Sequence, residues 1–227
     1  MTKELLKDVI DWDIINWSRT IPFWEKNLDI NGKNLSCLEL GGRKGGLSLW
    51  LALKGNNVIC SDLNSPESDA SELHKKYRID SRITYQSIDA TNIPFDNHFD
   101  IITFKSILGG ISRDGSDAKK KATMEQIYQA LNKGGKLLFA ENLEGSGLHK
   151  YLRKRFISWG KEWNYLKLEE IPEVFSSFNK ITYVTIGFWG AFGRTEKQRA
   201  ILGRLDGMME RLIPSRMRYI VIGIAEK

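Results

Sequence analysis

The chain has 227 residues, 41% hydrophobic and 27% charged, a balance suited to one globular α/β domain with a sizeable core. Its opening stretch mixes acids and bases with short apolar runs, and no run approaches the ~20 apolar residues of a membrane-spanning helix. Neither a secretory leader nor a membrane span is therefore expected, and the expected location is the cytoplasm. The formal net charge of +6 fits nucleic acid, anionic lipid or a phosphorylated substrate without selecting among them.

The first ~35 residues read as added helices covering a site or a sheet edge. From residue 35 onward, short apolar runs alternate with helical stretches. "LSCLEL" is a strand of the kind buried on both faces, and "LSLWLALKG" is a helix closed by Gly55. "NVICSDL" is a second strand, followed by the helix "PESDASELHKKY" with Pro66 in its first turn. "ITYQSID" and "FDIITFKSIL" are the third and fourth strands. "AKKKATMEQIYQALNKGG" is a helix with a glycine stop, and "KLLFAEN" is the fifth strand. Helices are expected over 147–163 and 169–175. The strand "ITYVTIGFWG", the helix "EKQRAILGRLDGMMERL" and the strand "RYIVIGIAEK" complete the chain. This alternation implies an α/β fold with a mostly parallel sheet and helices on both faces. No linker divides it, so residues 1–227 read as one domain. Within it, 1–34 form a helical extension, 35–144 a cofactor-binding core, and 145–227 the substrate-side helices and last strands.

The two cysteines, Cys37 and Cys60, sit in strand-like runs without metal-ligand spacing, so they read as buried side chains and no metal site is expected. "LELGGRKGG" lies at the turn from the first strand into the first helix. In doubly wound sheets that turn borders the ligand crevice, and glycine lets the backbone take positive φ and approach a ligand. Asp62 ends the next strand, 21 residues after Gly41, where an acid can accept from both ribose hydroxyls. Asp89 ends the third strand. The glycine spacing matches neither the dinucleotide fingerprint G-x-G-x-x-G nor the phosphate loop G-x-x-x-x-G-K-[ST], so a dehydrogenase is a distant alternative.

Taken together, "LELGGRKGG", "CSDL", "SIDATNIPFDNHFDIITFKSIL", "LNKGGKLLFAEN" and the last two strands resemble a class I S-adenosylmethionine-dependent methyltransferase. The likeness is nearest to the UbiE/type-11 small-molecule group and runs from about Leu35 to the C-terminus. It implies a Rossmann-like sheet of seven strands with the last one antiparallel, and S-adenosylmethionine as cofactor. It further implies that Glu39, Gly41 and Gly45 form the loop under the methionine part, with Gly42 and Gly46 adding backbone freedom. Asp62 would bind the ribose, Leu63 would pack on the adenine, and Asp89 and Ala90 would recognise the adenine edge. Lys105 and Ser106 would line the site near the transferred methyl. The family's middle loop glycine is Arg43 here, whose side chain either crowds the cofactor, points outward or reaches its carboxylate.

Catalytic groups are less legible, because methyl transfer needs a base only for a weakly acidic nucleophile. His149 follows the fifth strand and is the candidate base or substrate contact. Glu141 and Asn142, at that strand's end, are candidate substrate ligands. His74 and His98 read as solvated. "HKYLRKRFISWGKEWNYLK" interleaves bases with Tyr151, Phe156, Trp159, Trp163 and Tyr165, a pattern that fits an amphipathic lid, a lipid-linked or anionic acceptor, or RNA. The fourth strand ends in "FKSI" without the motif of base-amino methyltransferases, and a Pro-Cys pair is missing, which argues against nucleic acid. The expected acceptor is a small molecule or a carrier-linked one, with a glycan or glycolipid precursor as a specific guess. Peripheral membrane contact is left open. An RNA methyltransferase and a non-catalytic cofactor-binding partner subunit are the alternatives.

Overall fold

Parallel strands reached by helical crossovers need both sheet faces covered, and the apolar runs from Ser36 onward meet that need. The structure, a computed structural model, describes residues 1–156 and 162–227. Seven strands form one sheet: β1 (Ser36–Leu40), β2 (Asn57–Asp62), β3 (Ile83–Ser87), β4 (Phe99–Lys105), β5 (Leu131–Asn142), β6 (Lys180–Ile186) and β7 (Ile220–Glu226). Their order is β3-β2-β1-β4-β5-β7-β6. β1 to β5 pair in parallel, and β7 runs antiparallel between β5 and β6. The Rossmann-like, seven-stranded α/β fold expected from the sequence is the one observed. Strand order reverses between β1 and β4, which puts the ligand crevice over their carboxyl ends.

Side chains alternate between two cores, as the two-residue period of a strand requires. Cys37, Leu138 and Ala140 point into one core, with Trp17, Trp24, Leu49 and Trp50 from α2 (Ile14–Trp17), α3 (Thr20–Asn27) and α4 (Gly46–Leu53). Leu38, Leu137 and Phe139 point into the other, with Met124 and Ile127 of α7 (Asp117–Ala130) and Val174 of α9 (Ile171–Val174). The remaining helices are α1 (Lys3–Ile10), α5 (Glu67–Lys76), α6 (Leu108–Ile111), α8 (Gly147–Phe156) and α10 (Glu196–Met209).

Three boundaries depart from the sequence reading. β5 begins at Leu131, ahead of the glycine pair expected to separate helix from strand. Gly134 there takes φ +77°, and the ladder to β4 shifts register between Phe99 and Ile101. The helix expected over 169–175 is a 3₁₀ turn followed by the single-turn α9. The helix expected over 147–163 runs from Gly147 to Phe156, Glu162 and Trp163 are not helical, and residues 157–161, with Trp159, lie outside the described residues.

The N-terminal helices are integral to the first core. α1 packs on α4, α2 on α10 and α3 on β7. Trp24 is 1% exposed, and its indole N–H donates to the Gly223 carbonyl of β7 at 3.0 Å. Trp24→Ala removes that packing and the bond, and should destabilise the protein by about 3–5 kcal/mol, measured as a shifted denaturant midpoint. Loss of under 1 kcal/mol would show that the extension is an appendage.

Candidate functional site

The glycine turn is shaped from beneath by a buried acid. β1 ends in Glu39 and Leu40, and the backbone then takes φ +68° at Gly41, +46° at Arg43 and +69° at Gly45. Gly42 donates to the Ser61 carbonyl of β2 at 2.7 Å, which ties the turn to the neighbouring strand. A Cβ on Gly42 would meet the Cys60 sulfur at 2.9 Å and a Glu39 carboxylate oxygen at 3.2 Å, so the position needs glycine. The Glu39 carboxylate accepts the N–H groups of Leu47 (3.2 Å) and Ser48 (2.8 Å) and the Ser48 hydroxyl (2.5 Å). It thus caps the start of α4 from inside the sheet, and burial raises its pKa. Glu39 therefore orders the loop rather than facing an open crevice. Arg43 is exposed and takes the left-handed backbone that glycine adopts most readily, so its side chain does not fill the turn.

His74 is a second support, and here the structure corrects the sequence reading. The residue expected in solvent is fully buried. Its Nε2 meets the Gly45 carbonyl at 2.9 Å, its Nδ1 meets the Tyr85 hydroxyl at 2.7 Å, and the ring stacks on Tyr85. Burial holds its pKa below the ordinary histidine value. The signal in the sequence was Ala70, one helical turn earlier on the same buried face. His98 is exposed, as expected.

The pairing of β2 with β3 carries on past the end of β3, where the Ile88 N–H donates to the Asp62 carbonyl at 2.8 Å and Asp89 follows. Asp62 accepts the N–H groups of Arg43 (3.2 Å) and Leu63 (2.7 Å), which aims its carboxylate along the rim of the glycine turn. Asp89 accepts from Thr91 through one oxygen only, leaving the other open on the surface. Leu63, which follows Asp62, is 67% exposed, and Ala90, which follows Asp89, is half-buried. Turn, acids and leucine thus share one rim, at the carboxyl ends of the neighbouring strands β1, β2 and β3.

Beyond β4 the backbone is strained again, with Ser106 at φ +60°. The Asn142 side chain donates to the Ser106 hydroxyl at 2.6 Å. Glu141 is fully buried, and its carboxylate accepts the N–H groups of Ile107, Leu108 and Asn142 at 2.8–2.9 Å. Burial pushes its pKa up to about 7. It does for the turn after β4 what Glu39 does for the turn after β1, so its oxygens are committed to backbone. Lys105 donates to the Ile10 carbonyl at 2.6 Å, with the Trp12 and Trp17 rings 5.0 and 5.4 Å away, and burial lowers its pKa to about 8. The N-terminal segment therefore crosses the β4 end of the crevice, a contact that nothing in the local sequence of either partner announced.

His149 is placed apart from this rim and is only 1% exposed. Its Nε2 faces the Phe188 carbonyl at 2.9 Å, so that nitrogen carries the hydrogen, and Nδ1 accepts from Ser146 at 3.1 Å. The ring stacks between Phe192 and Tyr219. Both nitrogens are engaged, and burial lowers the pKa to about 4. This geometry leaves no lone pair for a proton from an acceptor and makes His149 a packing centre. Among the described residues no cluster of metal-ligating side chains occurs, and no helix is long and apolar enough to cross a membrane.

A methyltransferase domain model matches residues 17–182. The chain belongs to the methyltransferase domain family. No curated protein matches it in sequence. Among solved structures it is similar to Haemonchus contortus phosphoethanolamine N-methyltransferase 2 in complex with phosphomonomethylethanolamine and S-adenosylhomocysteine. The identity is 20% and the TM-score 0.63, over 93% of this chain and 52% of that one. The chain thus spans about half the length of that enzyme. It is also similar to a geranyl diphosphate C-methyltransferase from Streptomyces coelicolor A3(2), with 14% identity and TM-score 0.64 over 92% and 79% of the two chains. A sarcosine dimethylglycine methyltransferase described as such from Galdieria sulphuraria gives 12% and 0.63 over 92% and 84%. At these identities the likeness is one of fold.

Because the His149 pKa is lowered from 6.5 to about 4, its stabilising neutral form is complete above pH 6.5 and is lost as pH falls towards 4. Wild type should lose roughly 3 kcal/mol over that window relative to His149→Phe, read from denaturant midpoints at several pH values. Parallel pH profiles for the two proteins would contradict the buried, neutral assignment.

Proposed function

We propose that this methyltransferase transfers the methyl group of S-adenosylmethionine to a small or carrier-linked acceptor, held beyond the carboxyl ends of β4 and β5. The observation that carries the reading is the rim of glycine turn, Asp62, Leu63 and Asp89 over three adjacent strand ends, in a chain of this family. The residues present fit the cofactor. The turn offers close backbone approach at Gly41, the Asp62 carboxylate suits a ribose diol, and exposed Leu63 gives the adenine an apolar face with the open oxygen of Asp89 at its edge. The dinucleotide pattern, which needs a different glycine spacing, is disfavoured.

When bound, S-adenosylmethionine supplies a methyl group already activated by its sulfonium charge. The protein's own contribution is then alignment and exclusion of water, and alignment alone can be worth roughly 7–11 kcal/mol. Glu39 and His74 fix the turn from below. Asn142 and Glu141 fix Ser106 and the start of α6, next to the place where the acceptor must approach. Trp12 and Trp17 shield Lys105 on the N-terminal side. With His149 engaged on both nitrogens, no protein base is assigned, which suits an acceptor whose nucleophile is already free of its proton. Two of the fold neighbours are named for phosphorylated small molecules, which supports a small acceptor over RNA.

Calorimetry should show binding of S-adenosylhomocysteine and none of NAD. Asp62→Ala should weaken that binding about ten- to a hundred-fold, the loss of charge-assisted bonds to the ribose, and more than Asp89→Ala, whose share of adenine recognition is divided with apolar and backbone contacts. A folded Asp62→Ala protein that binds like wild type would refute the ribose assignment, and tight NAD binding without S-adenosylhomocysteine binding would refute the cofactor.

A further inference from the structure

Past β5 the chain turns through Leu143–Gly147 into α8, and two adjoining cavities open there, of about 350 and 120 Å³, with Glu144 and Lys167 in the walls of both. Lysines and arginines line them in excess of acids. Lys150, Arg153, Lys154, Lys167 and Arg216 stand against Glu144 and Glu169. Part of this charge is matched, since Lys150 pairs with Glu144 at 2.7 Å and Lys167 with Glu170 at 2.8 Å. The rest is not. Lys154 and Arg216 are exposed and make no ion pair among the described residues.

Arg153 is the informative member. It is only 8% exposed, yet it meets no carboxylate among the described residues. Its Nη1 donates to the carbonyls of Leu143 (2.8 Å) and Glu144 (3.0 Å), and its guanidinium lies 4.1 Å from the centre of the Tyr165 ring. The Tyr165 hydroxyl is itself buried and has no hydrogen-bond partner among the described residues. A buried cation without a counter-ion, beside a buried hydroxyl without a partner, is an arrangement that an anion would complete. The N-terminus of the ten-residue α8 borders the adjoining, larger cavity at Ser146 and Gly147, and no atom of the described residues lies within 4 Å of where a Gly147 Cβ would stand. The cleft also lies beside the reacting end of the crevice. Asn142, bonded to Ser106, immediately precedes it, and Asn164 in its wall donates to the Gly109 carbonyl of α6 at 3.1 Å.

We propose that this cleft is the acceptor's phosphate subsite, so that the molecule methylated carries a phosphomonoester or diphosphate held by Arg153 and Lys154 from the last turn of α8, with Arg216 in the wall of the adjoining cavity. A dianionic phosphate or diphosphate suits cations that line two adjoining cavities, Arg153 and Lys154 in one and Arg216 in the other. Cavities of this size hold such a group and part of what it is attached to, but not a run of nucleotides. The proposal rests on the methyl-transfer reading above for its placement of the acceptor.

The probe is inorganic pyrophosphate, titrated by calorimetry into the full chain with and without saturating S-adenosylhomocysteine. Single-site binding is expected. Arg153→Gln should weaken it about ten-fold or more, and Lys154→Gln with Arg216→Gln by several-fold, with a shallower salt dependence. S-adenosylhomocysteine affinity should stay within about two-fold in each variant. The surface double variant carries the test should Arg153→Gln fail to fold. Absence of pyrophosphate binding, equal binding by wild type and the double variant, or binding of single-stranded RNA in place of pyrophosphate would overturn the proposal. Absence of S-adenosylhomocysteine binding with pyrophosphate binding intact would overturn the cofactor reading, and with it the acceptor role, while leaving the cleft an anion site.

Discussion

The bond between the Glu39 carboxylate and the first N–H groups of α4 is the constraint on which the site depends. A strand end and the helix after it must meet closely for the intervening glycines to form a ligand-facing rim. The helix N-terminus brings unsatisfied N–H groups into a buried place, and an acid from β1 satisfies two of them without using surface that a ligand needs. The cost is a carboxylate taken out of water, visible as its raised pKa. That cost is met only because several donors converge on it. Removing the acid would strand those donors in the core.

The same device recurs at Glu141, which gathers the N–H groups that follow β4. Two buried strand-end acids, one on β1 and one on β5, therefore hold the turns after β1 and β4 that flank the crevice. A third buried network anchors the covering segment. Tyr219 donates to Asp13, Asn16 bridges Asp206 and Tyr219, and Asp206 accepts three successive N–H groups at Phe188, Trp189 and Gly190. Burial raises the Asp13 pKa to about 7, in line with a carboxyl enclosed by protein. His149 packs on the same Tyr219 ring, which is why it serves the fold there.

The sequence made the fold legible because apolar runs with glycine stops set strand and helix order, and because acids at successive strand ends stand out against apolar neighbours. The strand-end positions of the candidate rim, Gly41, Asp62, Leu63 and Asp89, were legible for the same reason. What stayed hidden depends on contacts between residues distant in the chain. Nothing around His74 indicates that Gly45 and Tyr85 will enclose it. Glu141 and His149 looked like substrate-facing groups from their position after a strand, but that position is equally the one that caps a neighbouring turn or fills a gap under a loop. Lys105 meets Ile10 across 95 residues, a pairing that no local pattern encodes.

The central claim is that the glycine turn and the strand-end acids hold S-adenosylmethionine. The most direct measurement is the amide NMR spectrum of the labelled chain, titrated with S-adenosylhomocysteine. Saturable shifts at Gly41–Gly46, Asp62–Leu63 and Asp89–Thr91, with smaller shifts at Ser106 and Ile107, are the predicted result. Absence of saturable shifts, or shifts confined to residues away from the ends of β1, β2 and β3, would contradict the account.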